Sequence, residues 1–184
     1  MPAQQTTFPI EIGGVKRDLR LFEIKPGVKI AIINILGDTE LVEVCASELA
    51  KKMDSADFDV LVTAEAKSIP LAHALSVVTK KPYVVLRKSY KVYMGETLEE
   101  KTISITTGRE QTLILDEKDR KMLEGKRAAI VDDVISTGST LNGMRNLLKK
   151  AGAEITVEAA IFTEGDPGEW GNIIALGHLP VFTG

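Results

Sequence analysis

An α/β fold, with a mostly parallel central sheet carrying helices on both faces, is predicted by three observations. Strand-like and helix-like segments alternate from about residue 38 to about residue 164. The strands among them are continuous apolar runs, the pattern of strands buried on both sides. A chain of 184 residues with 44% hydrophobic and 27% charged side chains is ordinary globular material, sufficient for one well-buried core. A single domain over residues 1–184 follows.

The elements run as follows. Residues 8 to 35 read as short strands broken by turns: Phe8 to Ile12, then GGVKRD, LRLFEI, KPG and VKIAIINI. At Asp38 the period changes. Asp38 is placed as an N-cap, and Leu41, Cys45 and Leu49 recur at helical spacing, predicting a helix that ends near Met53. The β-rich run FDVLVTAE follows, Pro70 opens the helix PLAHALSVV as a first-turn proline, and YVVLR is the next strand. From Ser89 to Leu115 the rhythm breaks. That segment is polar and charged, holds only two weak strand signals, TISIT and QTLIL, and reads as a mobile hairpin outside the core. KRAAIVDD is another buried strand, Leu141, Met144, Leu147, Leu148 and Ala151 form the apolar face of the next helix, and ITVEAAIFT completes a second strand–helix–strand unit.

Composition narrows the partners. A formal net charge of -3 and a pI near 5.5 give no overall attraction to nucleic acid or to an anionic membrane, so any anion must be held locally. The single cysteine, Cys45, excludes an intrachain disulfide, and its apolar neighbours argue against a catalytic thiol. The opening MPAQQTTFPIEI lacks the basic and apolar regions of a signal peptide, and no apolar run is long enough to span a bilayer. A soluble, cytoplasmic protein is expected. His73 and His178 lack metal-ligand spacing and read as structural.

The chemistry is concentrated in AAIVDDVISTGSTL, Ala128 to Leu141. In open parallel sheets ligands bind at the carboxyl ends of strands, which is where Asp132 and Asp133 fall after KRAAIV and where Gly138 to Thr140 begin a helix. Free N–H groups at a helix start, a glycine allowing close approach and several hydroxyls make a phosphate site without a lysine. No Gly-x4-Gly-Lys-Ser/Thr pattern of a Walker loop occurs. An isolated Ser136 to Thr140 would read as a capping turn. Two adjacent, mutually repelling acids beside it point instead to a ligand with hydroxyls or a divalent cation a few ångströms from a phosphate. A sugar phosphate has that shape.

Apolar strand, Asp-Asp, two apolar residues and Ser-Thr-Gly-Ser-Thr, in that order, resemble the signature of the type I phosphoribosyltransferases, which bind 5-phosphoribosyl-1-pyrophosphate. The resemblance implies that Asp132 and Asp133, the catalytic candidates, hold the ribose hydroxyls, and that Ser136, Thr137, Gly138, Ser139 and Thr140 hold the 5-phosphate. It also implies a pyrophosphate site. Glu65-Ala66-Lys67-Ser68 is similar to the family's pyrophosphate loop, whose non-proline cis peptide would correspond to Ala66–Lys67, and Arg87-Lys88-x-x-Lys91 is similar to the Arg-Lys-x-x-Lys of purine enzymes. Clustered cations suit a pyrophosphate leaving group. Mg2+ is implied as the cofactor, held mainly through substrate and water with Asp132 and Asp133 binding its waters. Further implied are a hood from residues 1–37 and about 165–184, a core of about 38–164, a lid at about 89–115, and a homodimer.

The acceptor base is narrowed by the same likeness. Hypoxanthine-guanine enzymes place an Asp where this chain has Ser136, and the orotate lid Lys-Asp-His-Gly is absent. Adenine enzymes fit through Glu65-Ala66-Lys67 and Arg87-Lys88-x-x-Lys91, but their lid Tyr-x-Leu-Glu-Tyr-Gly aligns with residues 103–108, where Thr106 replaces the acid. Xanthine enzymes and the related purine-operon repressors have a similar lid without that acid. The expected reaction is phosphoribosyl transfer to a purine, adenine first and xanthine next, with a non-catalytic sensor as the rival. Such repressors carry an N-terminal winged helix, and residues 1–37 are too short and strand-like for one, so nucleic acid is not an expected partner. Glu96, Glu99, Glu100 and Glu110 could substitute for the lid acid, though each reads more simply as a solvated charge; Trp170 is expected against the hood; and Phe8, Phe22 and Phe182 are base-stacking candidates that read more simply as core.

Overall fold

The computed structural model describes residues 6–103 and 110–183. The chain opens with β1 (Thr7–Ile12), β2 (Val15–Lys25) and β3 (Val28–Ile32), an antiparallel meander whose inward residues Ile10, Ile12, Leu19 and Ala31 are buried. Helix α1 (Thr39–Lys52) begins where the hydrophobic period changes from strand-like to helical, and Asp38 caps it by accepting from Leu41 N at 3.2 Å. Arg17 of β2 grips the same carboxylate at 2.8 and 2.9 Å and also reaches Glu40, so the cap doubles as a clasp between meander and core. The guanidinium holds the Asp38 carboxyl below the usual range.

Two strand–helix–strand units, residues 60–86 and 127–164, then build the main layer. β4 (Val60–Ala64) is buried along its whole length, α2 (Ile69–Thr79) starts with proline in its first turn, and β5 (Tyr83–Leu86) lies parallel to β4. After β6 (Leu98–Ile103), β7 (Glu110–Leu115) and the short helix α3 (Glu117–Leu123) come β8 (Arg127–Ile135), α4 (Ser139–Lys150), β9 (Glu154–Glu164), β10 (Ile174–Leu179) and β11 (Val181–Thr183). The sheet order is β10-β9-β8-β4-β5, and every neighbouring pair is parallel. Successive strand residues point to opposite faces. Leu61, Ala129 and Val131 pack with α1, α2 and the meander, while Val60, Val62, Ala128 and Ile130 pack with α4.

Four features differ from the sequence reading. β8 continues to Ile135, so Asp132 and Asp133 lie within the strand rather than after it. Residues 98–103 and 110–115 do pair as an antiparallel hairpin, but its second strand is core: Leu113 and Leu115 are fully buried against the α4 face. A Cβ on Gly143 of α4 would collide with Thr102, which is how closely hairpin and helix approach. Lys150 and Asn146 of α4 bind the Glu100 carboxylate at 2.5 and 2.9 Å, and Lys150 also bonds Glu99 O. β10, expected within the hood, is instead the edge strand of the parallel sheet, and only β11 joins the meander, through β3. Finally, α3 has no counterpart in the sequence reading, because EKDRKML presents too little apolar pattern to signal a helix. Among the described residues, no helix is long and apolar enough to cross a membrane.

Candidate active site at the strand ends

The turn after β8 supplies anion-binding groups by its backbone. Gly138 sits at φ +71°, a conformation side chains resist, and has no side chain with which to cap α4, so the first-turn N–H groups face outward unclaimed by a cap. Asp132 and residues 134–141 line a cavity of about 140 Å3, well below the size of a pocket for a whole drug-sized ligand and suited to one phosphate group. Trp170 lies against Gly138. The indole would lie 2.9 Å from a Cβ at Gly138, so a larger residue there would meet both backbone strain and the ring.

The acids are held as a pair. Ser68 Oγ, at the start of α2, lies 2.7 Å from Asp132 Oδ1 and 3.2 Å from Asp133 Oδ1, and accepts from Asp133 N at 2.9 Å. Asp133 N also approaches Asp132 Oδ1 at 2.9 Å. Asp132 is buried while Asp133 is half-buried. Burial first, and the charge of Asp133 second, push the Asp132 carboxyl up to about 7, opposed by the Ser68 hydrogen bond. Asp133 keeps access to ligand, and Ser68 ties the β4 loop to the acid pair. Sequence reasoning quoted Ser68 only as the end of the loop. Its signal was a serine two residues before the helix proline, a position that reads by default as an N-cap.

Across the sheet, the loops after β4 and β5 meet each other. Glu65 Oε2 accepts from Lys88 N at 2.9 Å, and Glu65 Oε1 lies 3.2 Å from Arg87 Nε. That contact is an ion pair without hydrogen-bond alignment, leaving the buried Nε–H without an acceptor. The Lys88 amide first, and Arg87 next, hold Glu65 below the ordinary carboxylate range, and Arg87 is raised in turn by Glu65. Arg87 also exchanges both backbone hydrogen bonds with Ile114, anchoring this loop to β7. Lys67 Nζ is 3.5 Å from Ile33 O, the outer limit of a hydrogen bond, and Lys88 and Lys91 are exposed. The cis peptide of the β4 loop is Glu65–Ala66, one bond earlier than Ala66–Lys67.

A family model described as the phosphoribosyl transferase domain matches residues 34–170. The chain belongs to this family. Among curated proteins it is 32% identical over 161 residues to the purine biosynthesis transcriptional repressor PurR of Bacillus subtilis, covering 85% of this chain and 56% of that protein. It is 38% identical over 127 residues to a hypoxanthine/guanine phosphoribosyltransferase of Methanotorris igneus, covering 69% and 66%. The chain thus spans less than two thirds of the length of these relatives. Among solved structures, adenine phosphoribosyltransferase of Thermoanaerobacter pseudethanolicus superposes with a TM-score of 0.72 at 25% identity, over 87% of this chain and 95% of that one. The Giardia lamblia enzyme complexed with 9-deazaadenine superposes with a TM-score of 0.68 at 14% identity over 94% and 93%, a likeness of fold.

Other candidate residues of this phosphoribosyl transferase domain fall as follows. Trp170 does not face the meander; its Nε1 donates to Glu164 O at 2.9 Å and it packs with the α4 core. Phe8 and Phe182 meet edge to face at 5.7 Å and join the meander's core, whereas Phe22 is exposed beneath Arg20. Glu100 is bound to Lys150 and Asn146, which hold it below its ordinary range and unsuit it to protonate a base. Glu110 pairs with Lys101. Thr106 lies outside the described residues. His73 stacks edge to face on Tyr83, His178 Nδ1 contacts Thr163 Oγ1 at 3.0 Å, and buried Cys45 has its thiol pushed up to about 12 by burial.

Proposed function

We propose that the protein binds 5-phosphoribosyl-1-pyrophosphate and transfers its phosphoribosyl group to a purine base, adenine first among the acceptors, releasing pyrophosphate. The observation that carries this reading is the β8–α4 edge: two adjacent acids, joined through Ser68, stand beside an uncapped helix start. Asp133 and Asp132 accept the ribose hydroxyls, the residues 136–140 turn binds the 5-phosphate, and Glu65, Ala66, Lys67, Arg87, Lys88 and Lys91 border the pyrophosphate. A ring nitrogen of the base attacks the anomeric carbon as its bond to pyrophosphate breaks, through an oxocarbenium-like state that needs no protein nucleophile. The protein contributes orientation and cationic stabilisation of the leaving group.

Mg2+ fits this site as part of the substrate. Among the described residues no three His, Cys, Asp or Glu side chains gather to hold a metal, whereas Asp132 and Asp133 can bind the waters of a cation carried on the pyrophosphate. Such a cation supplies neutralisation of the leaving-group charge. A homodimer and a cytoplasmic setting belong to this reading as well.

A second reading, a sensor of the same ligand without turnover, is favoured by the 85% coverage of this chain in the match to PurR. The two are separated by incubating the protein with Mg2+, 5-phosphoribosyl-1-pyrophosphate and, in turn, adenine, xanthine, hypoxanthine, guanine, uracil and orotate. Release of pyrophosphate with formation of a purine nucleotide is expected. Calorimetric binding of the donor with no pyrophosphate released for any base would support the sensor, and no binding would overturn both.

A further inference from the structure

Ser68 stands at the start of α2, but its side chain does not serve the helix. A serine in that position ordinarily takes an extended backbone conformation and turns its hydroxyl oxygen onto an amide of the first turn. Here φ is -84° and ψ is -2°, a helical conformation, and the hydroxyl makes no capping bond. Pro70 leaves no N–H at the second helical position for it to accept. Only the backbone of Ser68 belongs to α2, its carbonyl accepting from Ala72 N at 2.9 Å. The hydroxyl is spent on β8, 64 and 65 residues further along the chain.

A hydroxyl carries one proton. At 2.7 Å from Asp132 Oδ1 against 3.2 Å from Asp133 Oδ1, that proton goes to Asp132, and the oxygen is left to accept from Asp133 N at 2.9 Å. The Asp133 amide also lies 2.9 Å from Asp132 Oδ1, so two donors converge on one oxygen of the buried acid. Turning that carboxylate would break both contacts and leave the oxygen buried without a donor, which is what keeps it in place. Asp133 is fixed differently. Its amide is bound while its half-buried carboxylate keeps oxygens for a ligand. Ser68 itself is only 2% exposed, so it has no surface to offer a substrate and acts through the two acids.

We propose that Ser68 is a positioning residue for the sugar of the donor: by holding the Asp132 carboxylate inward and the Asp133 amide in place, its hydroxyl sets the two acids in the arrangement that accepts the ribose hydroxyls. This rests on the phosphoribosyl-transfer reading. The ribose is the part of the donor that depends on Ser68, whereas the phosphate turn and the loops bordering the pyrophosphate keep their own donors.

The test compares the parent protein with S68A and S68C, the second retaining a side chain of similar shape whose thiol is a weak donor. Calorimetry with Mg2+ gives the Kd of 5-phosphoribosyl-1-pyrophosphate, ribose 5-phosphate, 2-deoxyribose 5-phosphate and pyrophosphate, and steady-state assays give kcat and the KM of donor and base. In both variants the Kd and KM of the donor and the Kd of ribose 5-phosphate are expected to rise about tenfold, the scale of one hydrogen bond to a charged group. The Kd of pyrophosphate, the base KM and kcat at saturating donor should stay at parental values. The preference for ribose 5-phosphate over its 2-deoxy analogue should shrink, a change that a general loosening of α2 does not produce. Parental donor affinity in S68A, parental behaviour of S68C, or equal weakening of donor and pyrophosphate would overturn the assignment while leaving phosphoribosyl transfer intact. If S68A does not fold, S68C decides by the same measurements, and if the parent binds donor without turnover, the binding constants decide. Failure of the parent to bind donor overturns the functional reading, and this assignment with it.

Discussion

The two halves of the site handle charge in opposite ways. On the β8–α4 side the backbone supplies the anion-binding donors, and the acid pair is left open on Asp133. On the β4–β5 side the charged groups have already found one another, Glu65 lying against Arg87 and the Lys88 amide. Backbone donors carry no counter-charge and need no side-chain ordering, so a phosphate meets them ready-made. Side-chain cations near a strand end are less committed: Lys88 and Lys91 are exposed, and Arg87 keeps a buried Nε–H without an acceptor. The comparison teaches that the donors on the β8–α4 side are supplied by the fold itself, while on the β4–β5 side an anion would have to displace an internal partner.

The largest expected effect tests the first half. Replacing both acids, D132N with D133N, should weaken 5-phosphoribosyl-1-pyrophosphate binding by about a hundredfold or more, as two charge-assisted hydrogen-bonding groups are lost. Circular dichroism should show the fold retained, and calorimetry giving the parental affinity would remove the ribose from these residues. A smaller effect tests the second half. E65Q keeps an oxygen for the Lys88 amide but removes the charge 3.2 Å from Arg87 Nε. Pyrophosphate should then bind about threefold to tenfold tighter at low salt, with the gain shrinking as salt is added. A loss of affinity would make Glu65 a positioning residue for Arg87 and undo the contrast between the two sides.

The smallest effect concerns stability. Asp132 is raised to about 7 in the folded protein from an ordinary carboxylate value of 3.8. Between those values the unfolded chain ionises where the folded one does not, so the contribution of this group is full below the lower value and is lost as pH rises through about 7. Asparagine has no such penalty and can still accept from Ser68 and from the Asp133 amide through Oδ1. D132N alone should therefore melt at least about 2 °C above the parent near pH 8, with the difference closing toward about pH 4. Equal melting curves at both values would mean that the acid pair carries no strain in the ligand-free protein.

Legibility followed how local each signal was. The β8–α4 stretch was readable because strand, acids, glycine and helix start are consecutive, and each has its own local requirement. α1 was readable from Asp38 and a helical apolar period, and β4 from an uninterrupted apolar run. The hairpin over α4 was not read as core, because the burial of Leu113 and Leu115 depends on Gly143 letting a distant strand close in. Trp170 was assigned to the meander for the same reason: nothing in GDPGEWGN records that Gly138, some thirty residues earlier, lies beneath the indole.

By itself the sequence determined the parallel α/β core, the order of its main elements and the edge where two acids meet a hydroxyl turn, since apolar period, capping and turn chemistry act over a few residues. Only the tertiary structure decided which acids are neutralised and which remain open. Ser68 reaches Asp132 and Asp133 across 64 and 65 residues, and Glu65 reaches the Lys88 amide across 23. Charge compensation is set by distance in space, and the sheet order, which brings β4 between β8 and β5, is what sets those distances.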